Sequence, residues 1–180
     1  MQEPDPATVR LAAAGDRRAF ALLVRHTQDH VWRFIRHQVG DDELASDLSQ
    51  ETFLRVHASL RSFRGEAAFT TWLLRIARNL VVDERRRAAR RPVVVPVDES
   101  ASPGRDPGTT LRSELEAALA SLPVDQRDAL LLVEILGLRY REAAAVLEVA
   151  EGTVKSRVFH ARAGLTRWMA ADELDERRHG

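Results

Sequence analysis

The chain has 180 residues, 44% hydrophobic and 30% charged, with 27 Lys and Arg balanced by 27 Asp and Glu. This composition reads as globular, not disordered, and the length suits one ordinary domain or two small ones. Zero cysteines exclude a disulfide framework, cysteine-based zinc sites and thiol chemistry, and no apolar run approaches the roughly 20 residues of a membrane span.

The N-terminal stretch MQEPDPATVR is too polar and acidic for a signal peptide. A cytoplasmic protein without membrane insertion is expected. From Pro6 to Gly40 the chain reads as helices, because Phe20, Leu23, Val24, Val31, Trp32 and Ile35 recur at three- and four-residue steps. Val39-Gly40-Asp41-Asp42 supplies a stop and then acidic residues suited to a helix N-terminus.

The next helix is predicted from Asp42 to about Leu60. At about 100° per residue, Ala45, Leu48, Thr52, Phe53, Val56 and Leu60 share one broad face, while Asp47, Gln50, Glu51 and Arg55 fall opposite. Leu54 lies among those polar residues, which suits a protein contact surface. Arg61 to Ala68 is read as a loop. Thr70 to about Arg87 is then a helix with Leu73, Ile76, Ala77 and Leu80 in its core stripe. The segment RPVVVPVDESASPGRDPGTT, residues 91–110, holds four of the seven prolines. Proline lacks an amide donor and blocks helix propagation, so a flexible linker is expected there. Four further helices follow, at Leu111–Leu122, Val124–Leu136, Tyr140–Leu147 and Thr153–Trp168. The predicted architecture is therefore all-α, two small helical domains on a tether, at residues 7–90 and 111–171.

Net charge is zero, but the pattern is not even. Asp41 to Glu51 carries five acidic residues and no Lys or Arg; Arg75 to Arg91 carries seven arginines against Asp83 and Glu84. Screening acts over about 8 Å at physiological salt, so a docked phosphate senses the local patch. A basic helix beside an aromatic, glycine-containing loop (Phe63, Arg64, Gly65) suits unpaired nucleic acid, with cations for phosphate and rings for bases. Asn79 offers a donor and acceptors to a base edge, and Arg85, Arg86 and Arg87 offer phosphate contacts. The acidic block would repel DNA and is assigned to a protein partner.

The last two helices have the pattern of a helix-turn-helix. The alanines of Ala143-Ala144-Ala145 allow close helix approach, and Glu151-Gly152-Thr153 offers a turn glycine and an N-cap. Val154, Val158, Ala161, Leu165 and Trp168 form the core stripe of the final helix. In such motifs the N-terminal part of the second helix enters the major groove, which nominates Lys155, Ser156, Arg157, Phe159 and His160.

Asp47-Leu48-Ser49-Gln50-Glu51-Thr52-Phe53, Phe63-Arg64-Gly65 and Thr71-Trp72-Leu73-Leu74-Arg75-Ile76-Ala77-Arg78-Asn79 together resemble region 2 of bacterial RNA polymerase sigma factors. The likeness is closest to the extracytoplasmic-function (ECF) group, which lacks the additional domain of larger members. Leu122 to Leu165 is similar to region 4 of the same family. The resemblance implies that Asp47, Gln50, Glu51 and Arg55 dock on core RNA polymerase, with Leu54 among them on that face, and that the loop with Asn79 engages the −10 promoter element, with Arg85 and Arg86 offering phosphate contacts beside it. It implies that Thr153 contacts phosphate while Lys155, Ser156, Phe159 and His160 contact the −35 element. His160 stands where the family commonly has a basic residue. An anti-sigma factor is an expected further partner, and no cofactor is implied.

Two rival readings follow from the residues. A stand-alone helix-turn-helix regulator would use only the second domain and leaves Asp47 to Arg87 unexplained. A metal-dependent enzyme would start from His26 and His30 at i, i+4, but the sequence offers no HExxH and no evident third ligand. No catalytic residue is nominated.

Overall fold

The computed structural model describes residues 1–90 and 107–179. Among them there is no strand, and eight α-helices carry the architecture: α1 (Pro6–Ala13), α2 (Arg17–Val39), α3 (Asp42–Ser59), α4 (Phe69–Ala88), α5 (Pro107–Ser121), α6 (Val124–Leu130), α7 (Tyr140–Leu147) and α8 (Glu151–His179). The segment read as a linker lies outside the described residues from 91 to 106. Its last residues, 107–110, open α5.

Acidic caps set the helix starts in the first unit. The Asp16 carboxylate accepts from the amides of Arg18 and Ala19 at 2.8 and 2.9 Å, and Asp41 accepts from Leu44 at 2.7 Å. Such caps satisfy amides that have no intrahelical partner. Gly40 ends α2 with φ 75°, a left-handed conformation that a side chain would strain. The start of α4 is capped from a distance: the Glu3 carboxylate accepts from the Phe69 amide at 2.5 Å and the Thr70 amide at 3.2 Å. That pairing spans more than 60 residues and is invisible to a local reading.

α1 to α4 pack around Leu23, Val31, Phe34, Ile35, Val56, Leu73 and Leu74, all buried. Thr27, Ser49 and Thr52 are buried among them, and each hydroxyl donates to the carbonyl one turn back at 2.6–2.7 Å. Those bonds remove the penalty of burying a hydroxyl. In the second unit Leu130, Leu131, Leu132, Val146, Val154 and Val158 form the core.

Three local features differ from expectation. The helix predicted from Val124 to Leu136 loosens into a π-helical turn over Leu131–Ile135, closed by Leu136 N–H donating to the Leu131 carbonyl. The left-handed turn between α7 and α8 is made by Glu148 (φ 57°), not by Gly152, which lies inside α8. Helix α8 also begins at Glu151, so Thr153 sits in the first turn instead of capping it.

The units do not stand apart. α4 packs on α7 and α2 on the π-helical turn, and the buried apolar residues form one continuous cluster from Val9 to Ala161.

Candidate nucleic-acid interface

Helix α3 presents Asp47, Gln50 and Arg55 to solvent, with Glu51 half-exposed and Leu54 58% exposed. Glu51 accepts from Arg55 Nε at 2.9 Å, an i, i+4 pair worth about 0.3–0.5 kcal/mol. Leu54 is not isolated. A groove of ≈ 610 Å³ between α2 and α3 is lined by Phe20, Val24, Gln50, Phe53, Leu54 and His57, together with Arg17. Phe20, Val24 and Phe53, part of the apolar helical pattern read from the sequence, sit half-buried and floor an apolar trough beside the polar residues. The one signal for it in the sequence was Leu54, out of phase with the core stripe.

The loop before α4 holds an aromatic cluster. The Phe63 and Trp72 ring centroids are 5.0 Å apart, and Phe69 lies 6.0 Å from each. Phe69 is buried and belongs to the core; Phe63 and Trp72 are half-buried, and Arg64 and Gly65 are exposed. Two cavities flank the loop. One, of ≈ 380 Å³, opens toward α1 and is lined by Glu3, Pro6, Val9 and Phe63 among others. The other, of ≈ 510 Å³, lies between the loop and α4 and reaches Trp72 and Arg75. Asn79 lines neither, but it is exposed one turn beyond Arg75 on the same side of α4.

The arginines of α4 divide into two sets. Arg86 and Arg87 are exposed, each beside an acidic residue of its own helix. Arg85, read as a phosphate contact, is turned into the contact between the units. Its Nη2 donates to the Gln38 backbone carbonyl at 3.2 Å and to the Gln38 side-chain oxygen, and Nη1 lies 3.7 Å from Asp128. Burial pushes the Arg85 pKa below the usual guanidinium value, with neighbouring Arg78 adding to the effect and Asp128 opposing it. A depressed pKa on a cation means that holding it charged in the folded chain costs stability.

The N-terminal part of α8 is open. Thr153, Lys155, Ser156 and His160 are exposed, and Phe159 is 69% exposed. Its ring meets that of His160 edge-on, with centroids 5.5 Å apart. Lys155 pairs with Glu151 at 2.7 Å and lies 5.8 Å from the Tyr140 ring centre. Arg157 is half-buried and pairs with Asp125 at 2.6 Å. Both cations must exchange a carboxylate for any phosphate they bind. Val154, Val158 and Ala161 are buried beneath them, so the predicted stripe holds α8 in place.

The His26 Nε2 atom lies 3.1 Å from the Gln2 carbonyl oxygen. Among the described residues, no group of three or more His, Cys, Asp or Glu side chains could hold a metal ion, and no helix is long and apolar enough to cross a membrane.

Comparison with known proteins accounts for this arrangement. The Sigma-70 region 2 family matches residues 23–91, and the Sigma-70, region 4 family matches residues 112–165. The chain is an RNA polymerase sigma factor of the ECF group. It is 38% identical over 172 residues to the probable RNA polymerase sigma-C factor of Mycobacterium bovis, covering 91% of this chain and 90% of that one. It is 36% identical over 176 residues to the ECF RNA polymerase sigma-E factor of Haemophilus influenzae, covering 89% and 93%. Among solved structures, CnrH in complex with the cytosolic domain of CnrY superposes with a TM-score of 0.77 at 26% identity, over 92% of this chain and 97% of that one. The sigma factor RpoE of Bartonella quintana, in complex with the anti-sigma factor NepR, gives 0.69 at 27% identity, over 85% and 98%. As a sigma factor, the chain binds core RNA polymerase and directs promoter-specific initiation of transcription.

Proposed function

We propose that this sigma factor divides its work between residues 7–90 and 111–171. In the first unit, Asp47, Gln50, Glu51, Leu54 and Arg55 dock on core polymerase, with the apolar groove beside Leu54 receiving part of the partner. Phe63, Arg64, Gly65, Asn79, Arg85 and Arg86 engage the −10 element and hold an extruded base. In the second unit, Thr153, Lys155, Ser156, Arg157, Phe159 and His160 read the −35 element from the major groove. The chain itself carries no catalytic group, and RNA synthesis belongs to the polymerase. It works in the cytoplasm and is restrained by an anti-sigma factor, in keeping with the complexes formed by its structural neighbours.

The observation that carries this reading is the open start of α8, where five of the six nominated residues are exposed on one short stretch. Each phosphate neutralised by a cation releases counterions, so log K should fall by about 0.9 for each tenfold rise in salt per contact. The expected result is that a holoenzyme carrying Lys155→Ala and Arg157→Ala binds promoter DNA with a log–log salt slope shallower by about 2. A slope equal to that of the unaltered holoenzyme would remove α8 from the groove.

A further inference from the structure

The loop before α4 is held at its two ends and little between them. At its start the Phe63 amide donates to the Leu60 carbonyl at 3.1 Å. The amides of residues 64–68 then make no backbone hydrogen bond among the described residues. Phe63, Arg64, Gly65 and Ala67 line both flanking cavities, so the loop is a wall with open space on each face. A segment with so few bonds and so little packing has low local stability.

The far end of the loop is fixed by the N-terminal segment. Ala68, at the N-cap position of α4, has no side chain that can cap, and the first turn of α4 has no acidic residue. Glu3 fills that place from outside the helix. Besides the amides of Phe69 and Thr70, its carboxylate accepts from the Thr70 hydroxyl at 2.5 Å, so both oxygens are engaged. Negative charge is favoured at a helix N-terminus, where the amide dipoles sum to a partial positive charge. Pro4 beside it is buried, and Glu3, Pro4 and Val9 share the ≈ 380 Å³ cavity with Phe63, Arg64 and Gly65. Glu3 itself is exposed, so replacing it leaves the core intact.

We infer that Glu3 is a positioning residue for recognition of the −10 element: by capping α4 it fixes the end of the loop against that helix, and so sets selectivity at the extruded base without touching it. A recognition surface keeps its selectivity only while its groups stay within about 0.5 Å of the productive geometry. With Glu3 gone, the junction at Ala68 loses its cap and the loop can shift toward either cavity. The inference rests on the proposed reading of the loop and Asn79 as the −10 contact.

The test is run-off transcription by holoenzyme carrying the full chain, on promoters substituted at each −10 base, with Asn79→Ala measured alongside. Glu3→Ala should lose selectivity about fivefold at the same single −10 position as Asn79→Ala, equivalent to about 1 kcal/mol. Combined with Asn79→Ala it should add less than its separate effect, because both act on one base. Ala68→Ser supplies a cap within the chain entering α4 and should restore most of the selectivity lost in Glu3→Ala. Asp5→Ala removes a charge from the same segment, together with the cap of α1, and should leave selectivity unchanged. Glu3→Gln keeps one acceptor oxygen and should lose less at that same position; it decides the matter if Glu3→Ala fails to assemble with core polymerase. If the Glu3 variants lose activity equally at every −10 base, or lose none, while Asn79→Ala loses it at one, the inference is overturned and the reading of the loop stands. The same holds if Ala68→Ser restores nothing or Asp5→Ala loses as much as Glu3→Ala. Equal loss at every base in the Glu3 and Asn79 variants alike would overturn the inference and the reading together.

Discussion

Replacing both Asp47 and Glu51 with arginine is expected to abolish assembly with core RNA polymerase while leaving helix content unchanged. Asp47 is exposed and Glu51 half-exposed, and among the described residues the side-chain pair given up is the exposed Glu51–Arg55 contact. With the like charges that the two arginines then place at i, i+4 spacing along α3, including beside Arg55, the cost to folding is about 1 kcal/mol. The cost to docking is larger, because an acidic surface that meets a basic partner becomes one that repels it, and like charges forced together at an interface cost several kcal/mol. Leu54 and the apolar groove cannot offset that, since the groove opens beside the reversed charges. Co-purification with core polymerase and far-ultraviolet circular dichroism together check the result. Holoenzyme recovered in normal yield from the double variant would remove α3 from the polymerase contact.

Asn79→Ala is expected to cost five- to hundredfold in selectivity at a single −10 position, with affinity for core polymerase unchanged. The range follows from about 1–3 kcal/mol of base discrimination for a good side-chain pairing to a base edge, at about 1.4 kcal/mol per decade. Asn79 is exposed on α4, and alanine is the better helix former, so the fold should not suffer. The cavity between the loop and α4 ends at Trp72 and Arg75, one turn before Asn79. A base entering there can stack on the half-buried Phe63 and Trp72 rings and present its edge to the amide. Transcription from promoters substituted at each −10 base checks this. Equal loss on every promoter would make Asn79 a structural residue.

The helices were legible because they rest on local signals. Periodic apolar residues, Gly40 as a stop, Asp41 as a cap after it and the compact Tyr140–Leu147 pattern all act within a few residues of one another. The exposed residues of α8 were legible for the same reason, since burying Val154, Val158 and Ala161 fixes which neighbours face outward. The capping of α4 by Glu3 and the Gln38–Asp128 bond were not, because they join residues 66 and 90 positions apart. A lone aspartate before Ala129-Leu130-Leu131 reads as an ordinary polar position until α4 is placed against it. Phe63, Phe69 and Trp72 posed a different difficulty. A ring suited to stacking on a base is equally suited to a core, and only burial separates the buried Phe69 from the two half-buried rings.

Run-off transcription with purified core RNA polymerase on a genomic fragment library, with and without this protein, tests the central claim most directly. The account predicts discrete transcripts that appear only when the protein is present, from templates sharing a −35 and a −10 element, and that disappear with the Asp47→Arg, Glu51→Arg variant. Transcripts identical in both reactions, together with tight duplex binding by the chain alone, would contradict it.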